Sequence, residues 1–107
     1  MGETKDEARD QRVEITDNPA EGRYEARIDG ALAGVAQYLR APGVVALTHT
    51  EVEPDYEGRG VGGALSRAVL ESAREAGDKV APVCPFFAGW VRKHPDYQSL
   101  IFEKNES

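Results

Sequence analysis

The sequence predicts an α+β fold, in which a mixed sheet begins with an antiparallel meander of four strands and continues through a helix, a fifth strand and a second helix. Two observations support this prediction. Short segments of alternating apolar and polar residues, separated by turn residues, fill the first half of the chain. A helical apolar period begins only after a glycine-rich stretch near position 60. With 107 residues, 40% of them hydrophobic, the chain can build one domain around one core.

Charge and cysteine content limit the possible partners. The chain has 19 acidic and 13 basic residues, a formal charge of -6, which argues against nucleic acid as a partner and tolerates a basic peptide or an amine better. The single cysteine, Cys84, cannot form an intramolecular disulfide. We see no signal peptide and no apolar run long enough for a membrane. We therefore expect a soluble cytoplasmic protein, a monomer or weak homodimer, with no membrane partner and no metal site.

The four strands of the meander are recognised by alternation and by the turns between them. We place a single domain at residues 12–102, between a charged tail of residues 1–11 and a frayed tail of residues 103–107. Asp29-Gly30 is a strong hairpin signal, and Pro42-Gly43 returns the chain once more. The strands are predicted at residues 13–16, 23–28, 31–39 and 44–52.

The fourth strand carries the first chemically interesting residues. A period of two places His49 and Glu51 on the same face as Val45 and Leu47. Pro54 cannot donate a hydrogen bond to a neighbouring strand, so pairing must stop near it and leave backbone groups for a ligand.

A loop with four glycines, Gly58, Gly60, Gly62 and Gly63, follows this strand and leads into a helix. Glycines allow tight turns and positive φ, and the first turn of a helix leaves N–H groups that attract an anion. The loop satisfies G-x-G-x-x-G, but a dinucleotide fold needs an acidic residue at the end of the next strand, and that strand ends at Cys84-Pro85. The NTPase phosphate loop motif is missing. A glycine-rich turn that only packs a helix on a sheet is the remaining alternative.

The second half alternates helix, strand and helix. Apolar residues at spacings of three and four predict a helix from Ala64 to Ala76 that ends at Gly77. The apolar face of this helix should contain Val61, Ala64, Leu65, Ala68, Val69, Ser72, Ala73 and Ala76. The fifth strand is predicted at residues 79–83. A second helix is predicted at residues 86–93, with Phe87, Trp90 and Val91 on one side.

Four segments of the sequence together resemble the GNAT superfamily of N-acetyltransferases, and more narrowly its small single-domain acetyltransferase-like subfamily. They are H-T-E-V at residues 49–52, G-R-G-V-G at 58–62, V-C-P-F at 83–86 and H-P-D-Y at 94–97. The resemblance covers roughly residues 12 to 102. It implies that the fourth and fifth strands are splayed to admit the pantetheine arm of coenzyme A, and that the glycine loop binds its pyrophosphate.

The resemblance also implies which residues bind acetyl-CoA. The backbone of Val52 and Glu53 would bind the pantetheine amides, and Arg59 could add a positive charge. The loop residues expected to contact the phosphates are Gly58, Arg59, Gly60, Val61, Gly62 and Gly63. Glu57 is a departure, because the superfamily usually has Gln or Arg at this place. A carboxylate there should weaken cofactor binding unless it points to solvent or pairs with Arg59.

Three residues are candidates for the chemistry. Glu51 is the first candidate for the general base, because an apolar face would desolvate it and raise its pKa. A carboxylate that only pairs with an arginine is the alternative. His49 is another base or a relay to Glu51, unless it is a satisfied core residue. Cys84, just before a helix, could accept the acetyl group or simply line the channel. Tyr56 or Tyr97 could reprotonate the leaving thiolate.

The predicted function is therefore an acetyl-CoA-dependent N-acetyltransferase that moves an acetyl group to a primary amine of a small molecule or peptide. A CoA or acyl-CoA binding module with little or no turnover is the alternative. A third hypothesis is an interaction protein whose partner surface is formed by Phe86, Phe87 and Trp90.

Overall fold

A computed structural model describes residues 13–102; the two predicted tails, residues 1–11 and 103–107, lie outside this range. The described part of the chain contains five strands and two α-helices, with 3₁₀-helices at Pro54–Tyr56 and Pro95–Leu100. In chain order the elements are β1 (Val13–Asn18), β2 (Arg23–Ile28), β3 (Ala31–Ala41), β4 (Val44–Val52), α1 (Val61–Ala76), β5 (Lys79–Pro82) and α2 (Pro85–Arg92).

The sheet is mixed, as predicted, with the strand order β1-β2-β3-β4-β5. The first four strands are antiparallel neighbours, and β5 runs parallel to β4. Asp29 and Gly30 both have positive φ, 52° and 86°, which is the geometry of the tight turn that twists in the same sense as a hairpin. β3 extends to Ala41, beyond its predicted end at Leu39, because Pro42-Gly43 alone completes the next turn.

The core lies between the sheet and the two helices, which pack side by side on one face. Its largest fully buried side chains include Phe87 of α2 and Leu47 of β4. The buried face of α1 is wider than predicted: Ser66 and Leu70 are buried, whereas Ala76 is exposed. The difference arises because α1 packs against α2 as well as against the sheet, so a second side of the helix is buried.

A β-bulge in β4 changes the prediction for His49 and Glu51. In the pairing of β3 with β4, Gln37 lies opposite His49 and Tyr38 lies opposite Leu47, so Thr48 is an extra residue. One extra residue shifts the alternation that follows, so side chains beyond it change faces. The side chains of His49 and Glu51 are 56% and 67% exposed, and the prediction that they share the apolar face of Val45 and Leu47 is wrong.

β4 and β5 separate at the same place. Their parallel pairing spans residues 44–47 of β4 and 79–82 of β5, and a last hydrogen bond runs from the Cys84 N–H to the Leu47 carbonyl oxygen (2.9 Å). β4 continues to Val52, paired only with β3. The predicted splay of the fourth and fifth strands is therefore confirmed, and it begins after Leu47.

The sheet face opposite the helices holds a buried carboxylate. Glu25, only 6% exposed, accepts hydrogen bonds from Asn18 Nδ2 (3.1 Å), Arg23 Nε (2.9 Å) and Arg27 Nη2 (2.9 Å). These bonds favour the ionised form and lower the pKa of Glu25 from 4.5 to about 2. The ionised side chain of Glu25 thus bonds to Asn18 of β1 and to two arginines of its own strand, β2.

This carboxylate should make folding sensitive to acid. A group whose pKa is lower in the folded state adds stability above its usual pKa and loses that contribution as the pH falls. We therefore expect the stability contributed by Glu25 to disappear between pH 4.5 and about 2. Glu25→Gln should be less stable at pH 7 and lose less stability on acidification, measured by urea unfolding at pH 7, 4 and 3. The control is Glu14→Gln, an exposed carboxylate on β1. Parallel pH profiles for Glu25→Gln and wild type would contradict this assignment.

Candidate active site and cofactor cavity

A cavity of about 350 Å³ opens where β4 ends, between the glycine loop and the start of α2. Val52 closes one side of it, and Phe86 closes the side toward α2. The full set of lining residues is Val52, Tyr56, Glu57, Gly58, Gly60, Val61, Gly62, Gly63 and Phe86. The cavity therefore lies beside the opening between β4 and β5, and much of its wall is main chain.

The first turn of α1 lines this cavity with three of its residues, Val61, Gly62 and Gly63. Gly60, with φ 80°, is the residue before the helix, and the first helical hydrogen bond runs from the Ala64 N–H to the Gly60 carbonyl oxygen (3.0 Å). The N–H groups of Val61, Gly62 and Gly63 consequently have no acceptor within the helix. No acidic residue lies in this first turn, so the partial positive charge of the helix end is not neutralised there.

Two of the glycines are required by the close approach of α2. A Cβ atom on Gly62 would lie 2.6 Å from the ring of Phe86, and one on Gly63 would lie 3.0 Å from Trp90 Nε1. Side chains at these positions would collide with α2. Their absence lets α2 form a wall of the cavity directly beside the backbone of the first turn of α1.

Most of the predicted cofactor residues lie together at the cavity, but two do not line it. The guanidinium of Arg59 lies over the ring of Tyr56, 5.2 Å from its centroid. The Glu53 N–H donates to the Ala33 carbonyl oxygen (2.8 Å), and the Glu53 carbonyl oxygen accepts from the Tyr56 N–H (2.8 Å). The backbone of Glu53 can therefore offer a ligand only the second lone pair of its carbonyl oxygen. Glu57, the departure from the superfamily pattern, does line the cavity.

His49 and Glu51 form a pair on the splayed half of β4. Their closest atoms, Nε2 and Oε1, are 3.7 Å apart, and both side chains are exposed. The apolar surroundings expected for Glu51 are therefore missing, because the bulge at Thr48 turns the pair to the open face of the sheet. The pair is accessible to a second substrate that approaches from the side opposite the helices.

Cys84 lies across the splay, on the helix side. It is buried, 3% exposed, and its Sγ forms a hydrogen bond with Thr50 Oγ1 (3.5 Å). Burial raises the pKa of this thiol, but hydrogen bonds with Thr50 and with the Phe87 and Phe86 backbone lower it by a larger amount. The net pKa therefore lies below its usual 9.0. Thr50 precedes Glu51, so the thiol and the carboxylate lie on opposite faces of β4. Sequence reasoning missed Thr50, because its partnership depends on the bulge.

The tyrosines and aromatic residues are distributed differently from the predictions. Tyr56 lines the cavity, whereas Tyr97 is buried and donates its hydroxyl hydrogen to Glu71 Oε2 (2.6 Å). The Glu71 hydrogen bond raises the pKa of Tyr97. Because Glu71 belongs to α1, the Tyr97 hydroxyl is bound to that helix and not to the splayed strands. Phe87 is fully buried, Trp90 is partly buried and Phe86 is 48% exposed, so these three aromatic residues do not form one exposed partner surface, and that hypothesis is wrong.

A comparison with known families agrees with this geometry. The sequence profile described as GCN5-related N-acetyl-transferase matches residues 23–100, which is most of the chain and includes the glycine loop, both splayed strands and α2. The chain belongs to the GCN5-related N-acetyltransferase family. The resemblance to the GNAT superfamily is confirmed, and family and fold together identify an acyltransferase. No match was found among functionally curated proteins.

Solved structures show the same fold. This GCN5-related N-acetyltransferase is 24% identical to a GCN5-like protein from Staphylococcus aureus, with a TM-score of 0.68 over 90% of this chain and 94% of that one. It is 20% identical to the ribosomal-protein-S18-alanine N-acetyltransferase of Escherichia coli (TM-score 0.52, 71% of this chain and 46% of that one). It is 23% identical to a ribosomal-protein-alanine N-acetyltransferase of Brucella melitensis (TM-score 0.52, 79% and 64%). At these identities the likeness establishes the fold alone.

Within residues 13–102, no helix has the length and apolar character that a membrane crossing requires. The same residues contain no group of three or more His, Cys, Asp or Glu side chains that could hold a metal ion.

Proposed function

We propose that this protein is an acetyl-CoA-dependent N-acetyltransferase that acetylates a primary amine of a small molecule or peptide. One observation carries the proposal: the first turn of α1, whose three N–H groups have no acceptor within the helix, lines a cavity beside the splayed strands. Such an arrangement binds a diphosphate at the helix end. The thiol arm attached to that diphosphate can then enter the gap that opens between β4 and β5 after Leu47.

The chemistry would take place on the open side of β4. The amine of the acceptor attacks the thioester carbonyl carbon, a C–N bond forms, the C–S bond breaks, and CoA leaves as a thiolate. The proton lost by the amine passes to the pair of Glu51 and His49, which is exposed on that side. Tyr56 lines the cavity and is the better placed of the two tyrosines to return a proton to the thiolate.

Cys84 has two possible roles in this scheme. In direct transfer its sulfur only borders the channel, as a small apolar residue next to Thr50. In covalent transfer its thiolate would take the acetyl group from CoA and then pass it to the amine. Its burial favours direct transfer, and its lowered pKa favours the covalent route.

The second candidate function is a CoA or acyl-CoA binding module with little or no turnover. Glu57 favours it, because a carboxylate in the cavity wall repels a diphosphate. Measuring the release of free CoA with a panel of polyamines, lysine peptides and aminated small molecules separates the two functions. Binding of acetyl-CoA without CoA release from any acceptor would support the module.

The direct test of both functions is calorimetric titration with acetyl-CoA. Neither heat nor a thermal shift at millimolar ligand would end the proposal. Glu57→Arg should bind acetyl-CoA about tenfold more tightly, because one unit charge at about 4 Å from another is worth about 1 kcal/mol in water and the substitution changes two units, partly screened by salt. Glu75→Arg, with the same charge change at the exposed far end of α1, is the control. Equal affinities of the two variants would show that Glu57 does not face the diphosphate.

A further inference from the structure

A second cavity lies next to the first along α2. It measures about 380 Å³ and is lined by Pro85, Phe86, Gly89, Trp90, Arg92 and Lys93. Phe86 belongs to the walls of both cavities. Trp90, in the second, packs directly behind Gly63, in the first. The two cavities are therefore neighbouring parts of one surface depression, separated by the half-exposed ring of Phe86.

The size of the first cavity leaves part of the proposed cosubstrate outside it. Pockets for drug-sized ligands measure about 300–1,000 Å³, so a cavity of about 350 Å³ is at the small end of this range. Coenzyme A is larger than such a ligand, with a pantetheine arm, a diphosphate and an adenosine 3′-phosphate. If the diphosphate lies at the start of α1 and the arm in the splay, the nucleoside end must leave the first cavity. The second cavity shares Phe86 with the first, so it is a neighbouring space that the nucleoside end can enter.

The two cavities also differ in charge. The first has Glu57 in its wall, whereas the second has Arg92 and Lys93 and no acidic residue. Arg92 Nη2 lies 3.6 Å from the position that a Cβ on Gly89 would take, so the guanidinium lies beside the cavity floor. Within residues 13–102, neither Arg92 nor Lys93 forms a salt bridge. Two neighbouring cations at one end of a depression, with no acidic partner among the described residues, suit a phosphate monoester, which carries nearly two negative charges.

We infer that the second cavity binds the adenosine 3′-phosphate end of acetyl-CoA. Arg92 and Lys93 contact the 3′-phosphate, and Phe86 packs against the ligand where it passes from one cavity to the other. This inference rests on the proposed function, since it assigns a second site to the same cosubstrate. It makes the 3′-phosphate, which takes no part in the acetyl transfer, a determinant of affinity.

The test compares acetyl-CoA with acetyl-3′-dephospho-CoA by calorimetry. The wild-type chain should bind acetyl-CoA about tenfold more tightly, because a charge-assisted contact of this kind is worth about 1.5 kcal/mol or more. In the double variant Arg92→Gln/Lys93→Gln this preference should fall below about threefold. The control Arg40→Gln/Arg74→Gln removes the same charge from positions outside both cavities and should keep the full preference. Because each result is a ratio within one variant, a general loss of folded protein does not change it.

The outcomes separate this inference from the proposed function. If the wild type binds both ligands equally well, or if the double variant keeps the full preference, the second cavity does not bind the 3′-phosphate and acetyl-CoA binding itself still stands. If neither ligand binds to the wild type, the proposed function fails and this inference fails with it.

Discussion

Glu51→Gln should lower kcat for acetyl transfer by about a hundredfold, near the lower limit for the loss of a general base. The amide keeps the shape of the side chain but cannot accept the proton that the attacking amine must lose. The loss stays near this limit because Glu51 is 67% exposed and solvent can take up part of the task. The affinity for acetyl-CoA should not change, since the side chain faces away from the cofactor cavity.

The measurement is release of free CoA under saturating acetyl-CoA, together with the dissociation constant from calorimetry. Glu14→Gln, an exposed carboxylate on β1, is the matched control and should retain wild-type kcat. His49→Gln should lower kcat less than Glu51→Gln if histidine only relays the proton. A Glu51→Gln variant that retains half or more of the wild-type kcat would place the proton acceptor elsewhere.

Cys84→Ala separates the two routes of transfer under the same assay. Direct transfer predicts that this variant keeps turnover and that no acetylated enzyme is seen by intact mass spectrometry of the wild type mixed with acetyl-CoA. Covalent transfer predicts the opposite in both measurements. The alanine also removes the hydrogen bond with Thr50, so Thr50→Val serves as the control for that loss.

Gly34→Ala should destabilise the protein by about 2–3 kcal/mol, the upper part of the range of about 1–3 kcal/mol for inserting an atom into a packed interior. Gly34 lies on β3 opposite Val52 of β4. A Cβ there would lie 2.8 Å from the Glu51 carbonyl oxygen and 2.9 Å from Val61 Cγ1. The first of these is backbone, which cannot rotate away. The added methyl group would therefore push β4 away from the start of α1, so binding of acetyl-CoA should weaken as well.

The measurement is urea unfolding, with Gly89→Ala as the control. Gly89 lies inside α2, and its new Cβ would meet only Arg92 Nη2 at an ordinary 3.6 Å. Replacing a helical glycine with alanine there should stabilise the protein by up to about 1 kcal/mol. The two glycine substitutions are thus expected to have opposite signs. A Gly34→Ala protein as stable as wild type would mean that β3 and β4 can separate at this point without cost.

Local signals in the sequence were sufficient for most of the fold. The Asp29-Gly30 turn, the start of β4 at Val44 and the end of α1 at Gly77 agree with the prediction. Each depends on a few consecutive residues whose backbone preferences agree with one another, such as glycines at positive φ. The family resemblance was also visible in the sequence, and the family match over residues 23–100 confirms it.

The orientation of the candidate catalytic residues was not predictable in this way. Period-two alternation assumes an unbroken strand, and nothing in residues 44–52 indicates that Thr48 is an extra residue. The bulge exists only in the pairing of β4 with β3, that is, through contacts with residues about ten positions earlier. It turns Glu51 to the open face and brings Thr50 to Cys84. The candidate base Glu51 is therefore exposed to solvent, whereas the alternation predicted an apolar environment for it.

The sequence by itself therefore determined the order of the elements, the glycine loop and the types of residue available for chemistry, because these follow from local backbone preference and hydrophobic period. Only the tertiary structure decided which side of β4 each of those residues faces, how closely α2 approaches the loop, and that a second, basic cavity adjoins the first. These features depend on strand register and on helix packing, which join residues far apart in the chain.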